Sequence, residues 1–164
     1  MSLVVRAARL ADTKEIWSLV RALAAYEKME AHVTGSAEKL AGDLFAERSP
    51  IQCLVAQDGA RLVGYAIYFP TYSSFRAQAM MWLEDLFVVP EARGKGVGRA
   101  LMVELAKTAM QRRCWRLDWA VLDWNQPSIE FYERIGARRQ NADWLQYGLD
   151  EEHMRDLIAL SRNT

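Results

Sequence analysis

The stretch Val88-Val89-Pro90-Glu91-Ala92-Arg93-Gly94-Lys95-Gly96-Val97-Gly98-Arg99-Ala100-Leu101 passes from an apolar strand, through a glycine-rich turn, into a helix. Met80 to Val89 reads as a long apolar strand stopped by Pro90. Gly96 to Arg112 carries Val97, Leu101, Leu105 and Ala109 on one helical face. A glycine turn at the start of a helix exposes successive backbone N–H groups at the positive end of the helix dipole, which favours an anion. A phosphate or diphosphate is the natural guest. Arg93, Lys95 and Arg99 add positive charge there, and Gly94, Gly96 and Gly98 let the backbone approach without Cβ clashes. Two other phosphate loops are excluded by spacing. A dinucleotide fingerprint starting at Gly94 needs glycine where Arg99 stands, and a Walker loop needs serine or threonine where Gly96 follows Gly94-Lys95. The plain alternative is a glycine turn whose charges are merely solvated.

Outward from this turn, strands and helices alternate without linkers or repeats. Leu3 to Ala7 reads as a strand, and Asp12 with Glu15 resembles a capping box for a helix bearing Ile16, Leu19, Val20 and Leu23. Ser36 caps a second helix running to about Phe45. Gln52 to Gln57 and Leu62 to Phe69 flank the hairpin signal Asp58-Gly59. Arg116 to Leu122 is a further strand, Pro127 opens a short helix that Gly136 closes, Trp144 to Leu149 is a final strand, and Glu151 to Leu160 a terminal helix.

With 164 residues and 51% hydrophobic content, the chain is expected to form one domain over 1–164. Lys+Arg 21 balance Asp+Glu 21, so no overall field draws in nucleic acid or an anionic membrane. Cys53, Cys114, His32 and His153 form no metal-binding spacing and no disulfide framework, which points to a reducing compartment. Nowhere do about 18 uncharged apolar residues follow one another, and Arg6 and Arg9 interrupt the first apolar run. The expectation is a soluble, cytoplasmic protein without a metal.

The chain resembles the GCN5-related N-acetyltransferase (GNAT) superfamily, whose cofactor signature Arg/Gln-x-x-Gly-x-Gly/Ala is matched by Arg93, Gly96 and Gly98. The resemblance extends to the diamine (spermidine/spermine) and thialysine acetyltransferase branch. It is carried by Ala25-Tyr26-Glu27-Lys28-Met29-Glu30, by Trp82-Leu83-Glu84-Asp85-Leu86-Phe87-Val88 and by Trp124-Asn125-Gln126-Pro127-Ser128-Ile129-Glu130-Phe131-Tyr132. It implies an α/β fold, a mixed, mostly antiparallel sheet of six to seven strands flanked by helices. It also implies acetyl-CoA as cosubstrate, a small primary amine as acceptor, and a homodimer. Two departures bear on the acceptor. Ser73 and Phe75 stand where the polyamine enzymes carry an acid and a tryptophan, and Ala142 precedes Asp143-Trp144 where they tend to have another acid.

An amine attacking a thioester must lose a proton, the carbonyl oxygen must be stabilised, and the departing thiolate gains from a proton. The resemblance makes Tyr132 the general acid; by itself Tyr132 could equally pack as a core aromatic beside Phe131. Glu84 and Asp85, adjacent on the strand, are expected to leave opposite faces of the sheet, so that only one easily faces a given cleft. Burial or a second acid would raise such a carboxyl toward a useful base. The resemblance assigns Glu84 to deprotonation through water and Asp85 to the amine; the alternative is that one of them caps a β-bulge or pairs with an arginine. It further implies a splay in the sheet beside the strand, with backbone groups of Leu86, Phe87 and Val88 on the pantetheine arm and an N–H near Leu86 on the oxyanion. Cofactor contacts are implied across Arg93, Gly94, Lys95, Gly96, Val97, Gly98 and Arg99, and at Asn125, Ser128, Tyr132 and Arg134; Asn125, just before Pro127, reads equally as a cap of the short helix, alone or together with a contact to the pantetheine amide. Arg134 reads equally well as part of a solvated helix face. Tyr26, Glu27 and Glu30 would join Glu84 and Asp85 in an acidic patch suited to a cationic amine. A peptide or protein amine as acceptor, and a non-catalytic CoA-binding module, are the alternative functions.

Overall fold

Five strands, among the residues described by the computed structural model (2–140 and 147–160), form one sheet in the order β1-β2-β3-β4-β5. They are β1 (Leu3–Ala7), β2 (Gln52–Asp58), β3 (Arg61–Ser73), β4 (Gln78–Val88) and β5 (Leu117–Asp118). Pairing is antiparallel from β1 to β4 and parallel between β4 and β5. The mixed α/β architecture is as expected, but the sheet is smaller than the expected six to seven strands. Half of the expected strand Trp144 to Leu149 lies outside the described residues, and the described half, Tyr147 to Leu149, is not a strand.

Helix α1 (Thr13–Tyr26) and helix α2 (Ala37–Leu44) pack on one face of the sheet. Ile16, Leu19 and Leu44 meet Cys53, Val55, Tyr65, Ile67 and Phe87 there. Helix α3 (Val97–Gln111) covers the other face with Val97, Leu101, Met102, Leu105 and Ala109. Its approach explains Gly64 on β3: a Cβ there would lie 2.7 Å from Phe87 O and 3.3 Å from Leu101 Cδ1. Each strand of the middle of the sheet is thus buried on both faces, which is why Leu62 to Tyr68 is an unbroken buried run.

Three expectations change in detail and a fourth holds. The capping box at α1 does not form: Asp12 accepts from Arg9 N at 2.7 Å and from the Arg6 guanidinium at 2.6 and 2.9 Å, closing a 3-10 turn (Leu10–Asp12) instead. Arg6 holds the Asp12 carboxyl below its usual range, and Glu15 accepts from Leu62 N at 2.8 Å. β3 runs on through Pro70 to Ser73, because its ladder with β2 stops at Tyr68, leaving an edge where proline's missing donor is harmless. The strand expected over Arg116 to Leu122 shrinks to β5, since only Met81 and Trp82 of β4 offer it a ladder. Ser36 caps α2 as expected, accepting from Lys39 N at 3.1 Å.

The chain divides into two compact units, Met1–Asn125 and Gln126–Thr164. In the second, helix α4 (Gln126–Arg134) ends before Gly136 at φ +92°, and helix α5 (Glu151–Leu160) starts after Asp150, whose carboxylate accepts from His153 N at 2.9 Å. No helix among the described residues is long and apolar enough to cross a membrane.

Candidate active site

β4 departs from regular pairing at Glu84. Tyr68 of β3 faces Leu83 and the preceding Ile67 faces Asp85, so Glu84 is an extra, unpaired residue: a β-bulge. The expectation that Glu84 and Asp85 leave opposite faces is therefore corrected. The inserted residue resets the alternation, Asp85 shares the face of Phe87, and Glu84 Oε2 accepts from Trp82 Nε1 at 2.8 Å on that same side. Two carboxylates from adjacent residues now serve one side of the sheet.

Their environments differ. Glu84 is exposed. Asp85 is mostly buried and accepts from the Tyr65 hydroxyl at 3.2 Å. Burial pushes its carboxyl up to about 6; the charges of Glu84 and Glu27 push the same way, and the Tyr65 hydrogen bond opposes them. Glu27 caps the C-terminus of α1, and its own carboxyl is raised by burial. The expected acidic patch thus contains Glu27, Glu84 and Asp85. Glu30 lines an open cavity of about 650 Å³ with Trp17, Arg21 and Val33.

Beyond the bulge the sheet opens as the resemblance implied. β5 pairs with β4 only at Met81 and Trp82, while β4 continues to Val88. Val89 N–H bonds Val63 O of β3 at 3.0 Å. Backbone groups alternate along a strand, so the N–H groups of Leu86 and Val88 point the other way, into the opening. Phe87, between them, is buried in the core.

The glycine turn follows at once. Gly94 (φ +73°) and Gly96 (φ +84°) are both left-handed, and a Cβ on either would meet nothing within 4 Å. These glycines are required by backbone conformation, and they border open space from which a ligand can approach. Gly96 is the N-cap of α3, and Ala100 N bonds Gly96 O at 2.9 Å, so the N–H groups of Val97, Gly98 and Arg99 form the uncompensated first turn. Lys95 and Arg99 are exposed beside it.

Arg93 is engaged differently from the other cations. Its Nε donates to Val88 O at 3.0 Å, and its guanidinium lies 4.8 Å from the Tyr26 ring and 5.6 Å from that of Phe87. It braces the turn against the end of β4 and the end of α1. Tyr26 continues the brace: its hydroxyl donates to Asn125 Oδ1 at 2.9 Å and its ring lies 6.2 Å from that of Trp124. Asn125 is 5% exposed, a buried amide at the end of the segment that follows β5.

The remaining expected residues lie on α4. Ser128 and Tyr132 are half-buried, Tyr132 sits 5.2 Å ring to ring from Phe131, and Arg134 makes an exposed pair with Glu130 at 3.7 Å. Phe75 is 100% exposed at the β3–β4 hairpin, while Ala142 and Asp143-Trp144 lie outside the described residues. Sequence reasoning passed over Tyr65 and Trp82. Tyr65 lies in an apolar run with nothing local to mark its hydroxyl; Trp82, two residues from Glu84, was legible as a same-face neighbour.

The model of the Acetyltransferase (GNAT) family matches residues 11–137. The thialysine N-epsilon-acetyltransferase of Mus musculus is 34% identical over 163 residues, spanning 93% of this chain and 95% of its own. The spermidine/spermine N(1)-acetyltransferase-like protein 1 of Homo sapiens is 30% identical over 162 residues, 93% of this chain but 23% of that longer protein. An integron cassette protein of V. cholerae has the same fold, with a TM-score of 0.78 at 26% identity over 96% of this chain and 98% of its own.

Proposed function

Because the chain belongs to the Acetyltransferase (GNAT) family, we propose that it transfers the acetyl group of acetyl-CoA to a primary amine of a small cationic acceptor, a diamine, polyamine or lysine-like amine such as thialysine. The observation that carries this reading is the continuity of three features along one stretch of chain. A carboxylate-bearing bulge at Glu84 and Asp85 leads to unpaired strand N–H groups at Leu86 and Val88, and these lead to the left-handed glycine turn before α3. Acceptor, thioester and diphosphate can be served in that order.

The fit to acetyl-CoA rests on the open space at the Cβ positions of Gly94 and Gly96, which backbone N–H groups and the charges of Lys95 and Arg99 surround. When bound, the cosubstrate supplies an activated acetyl thioester. The N–H groups of Val97, Gly98 and Arg99 hold the diphosphate, and those of Leu86 and Val88 hold the pantetheine arm and stabilise charge on the carbonyl oxygen. Asn125, Ser128 and Arg134 add further cofactor contacts. Glu27 and Asp85 attract the ammonium form of the acceptor, Tyr26 borders them, and exposed Glu84 takes the amine proton through water. Tyr132 protonates the leaving thiolate. The family match spans residues 11–137 and so includes residues of both compact units, which supports reading 1–164 as one acetyltransferase domain. A cytoplasmic homodimer without bound metal completes the proposal.

The thialysine acetyltransferase is similar along nearly its whole length, whereas Ser73 and Phe75 lack the anionic partner expected for a long polycation. Both points favour a short diamine or lysine-like amine. Release of free CoA is measured with diamines, polyamines, lysine analogues and short peptides. Turnover of the small amines is expected. Turnover of peptides alone would overturn the small-molecule assignment, and tight acetyl-CoA binding without release on any amine would mean a non-catalytic binding module.

A further inference from the structure

Tyr65 is a phenol with no solvent exposure, on β3, its ring tilted against that of Phe87 at 6.5 Å. Around it stand Val55, Ile67, Ile16 and Leu19, a setting in which phenylalanine would pack equally well. A hydroxyl buried there costs free energy unless it finds a partner, and its partner is Asp85 Oδ2 at 3.2 Å. Burial raises the phenol's own pKa well above its ordinary value, so Tyr65 stays a neutral donor throughout the working range of an enzyme.

The groups facing Asp85 come from every element around it. Glu84 is its neighbour on β4, Glu27 ends α1, Tyr65 comes from β3, and Cys53 comes from β2 with its thiol pushed up to about 12. Arg93 lies over Phe87, two residues along, but its Nε is directed to Val88 O. Among these the carboxylates oppose a charge on Asp85, and only the Tyr65 hydroxyl favours it. The missing counter-charge is a cation, which an alkylammonium group supplies.

Resting on the acetyl-transfer reading, we infer that Tyr65 is a positioning residue for the acceptor: its hydroxyl pins Oδ2 of Asp85 and keeps the carboxylate ionised, leaving Oδ1 to receive the ammonium group. Tyr65 reaches no substrate itself; it acts through Asp85.

The test is Tyr65→Phe in the full chain, alone and with Asp85→Asn, assayed with a short diamine and with thialysine between about pH 6 and about pH 9. Losing the hydroxyl raises the Asp85 pKa, so the KM for the amine should rise about fivefold at the acid end, with a smaller effect at the alkaline end, where Asp85 is ionised in both proteins. The KM for acetyl-CoA and kcat at saturating amine should change less than the amine KM. In the Asp85→Asn background the Tyr65→Phe effect should vanish. An unchanged amine KM at every pH, or an equal effect with and without Asp85, overturns the inference. Calorimetric titration with the same amines reads the same differences without turnover, so absence of thiol release from the wild-type chain would sink the acetyl-transfer reading separately.

Discussion

Asp85→Asn should make the protein more stable at neutral and alkaline pH while weakening its hold on the amine. The carboxyl is pushed from its ordinary 3.8 up to about 6, chiefly by burial. A folded-state pKa above the unfolded value means that ionised Asp85 costs stability. The cost is absent below about pH 3, where both states are protonated, grows as the pH rises, and is fully developed above about pH 7. The rise of roughly two pH units, at about 1.4 kcal/mol for each, sets a ceiling near ~3 kcal/mol. Partial exposure to solvent screens part of this, leaving ~2 kcal/mol to be recovered when the charge is removed. Asparagine retains a carbonyl oxygen for the Tyr65 hydroxyl, so no buried donor is orphaned. For a chain of this length the gain corresponds to a Tm increase of roughly 4–8 °C at about pH 8. About half of it should be present at about pH 5 and almost none at about pH 3. Thermal unfolding of both proteins across this range checks the prediction. A variant that is equally or less stable at about pH 8, or whose gain does not grow with pH, would refute the burial argument.

Tyr132→Phe should lower kcat by about a hundredfold or more if the phenol is the proton donor, with acetyl-CoA affinity nearly intact; equal turnover returns Tyr132 to a packing role beside Phe131. Gly96→Val forces a β-branched residue to φ +84°, so acetyl-CoA affinity by calorimetry should fall about tenfold or more, and an unchanged affinity would remove the turn from the cofactor site. Glu84→Gln should depress kcat/KM most near neutral pH and recover in part at high pH, where solvent supplies free amine; a loss constant with pH would leave Glu84 as an electrostatic anchor without a proton-transfer role.

The glycine turn was legible because its constraints are local. Left-handed backbone at Gly94 and Gly96, a helix opening at Val97 and an apolar strand before Pro90 each depend on residues within a few positions. The order of the other elements followed from hydrophobic periodicity in the same way, as did the Ser36 cap. What the residues alone left open depended on partners far along the chain. The shift that makes Glu84 a bulge exists only in the register between β4 and β3, and one inserted residue reverses which side every later side chain faces. Arg93 stands in the signature, but whether it faces a phosphate or braces the turn is decided by Val88 O, Phe87 and Tyr26. Asp12 carries the pattern of a helix cap, yet the partly buried guanidinium of Arg6, on β1, takes it. The Asp85 carboxyl owes its elevation to burial under α1 and its donor to a tyrosine on the neighbouring strand. The sequence by itself therefore determined the turn, the element order and the family; the tertiary structure alone decided which acid is buried and what it touches, because desolvation and hydrogen bonding depend on groups that only folding brings into contact.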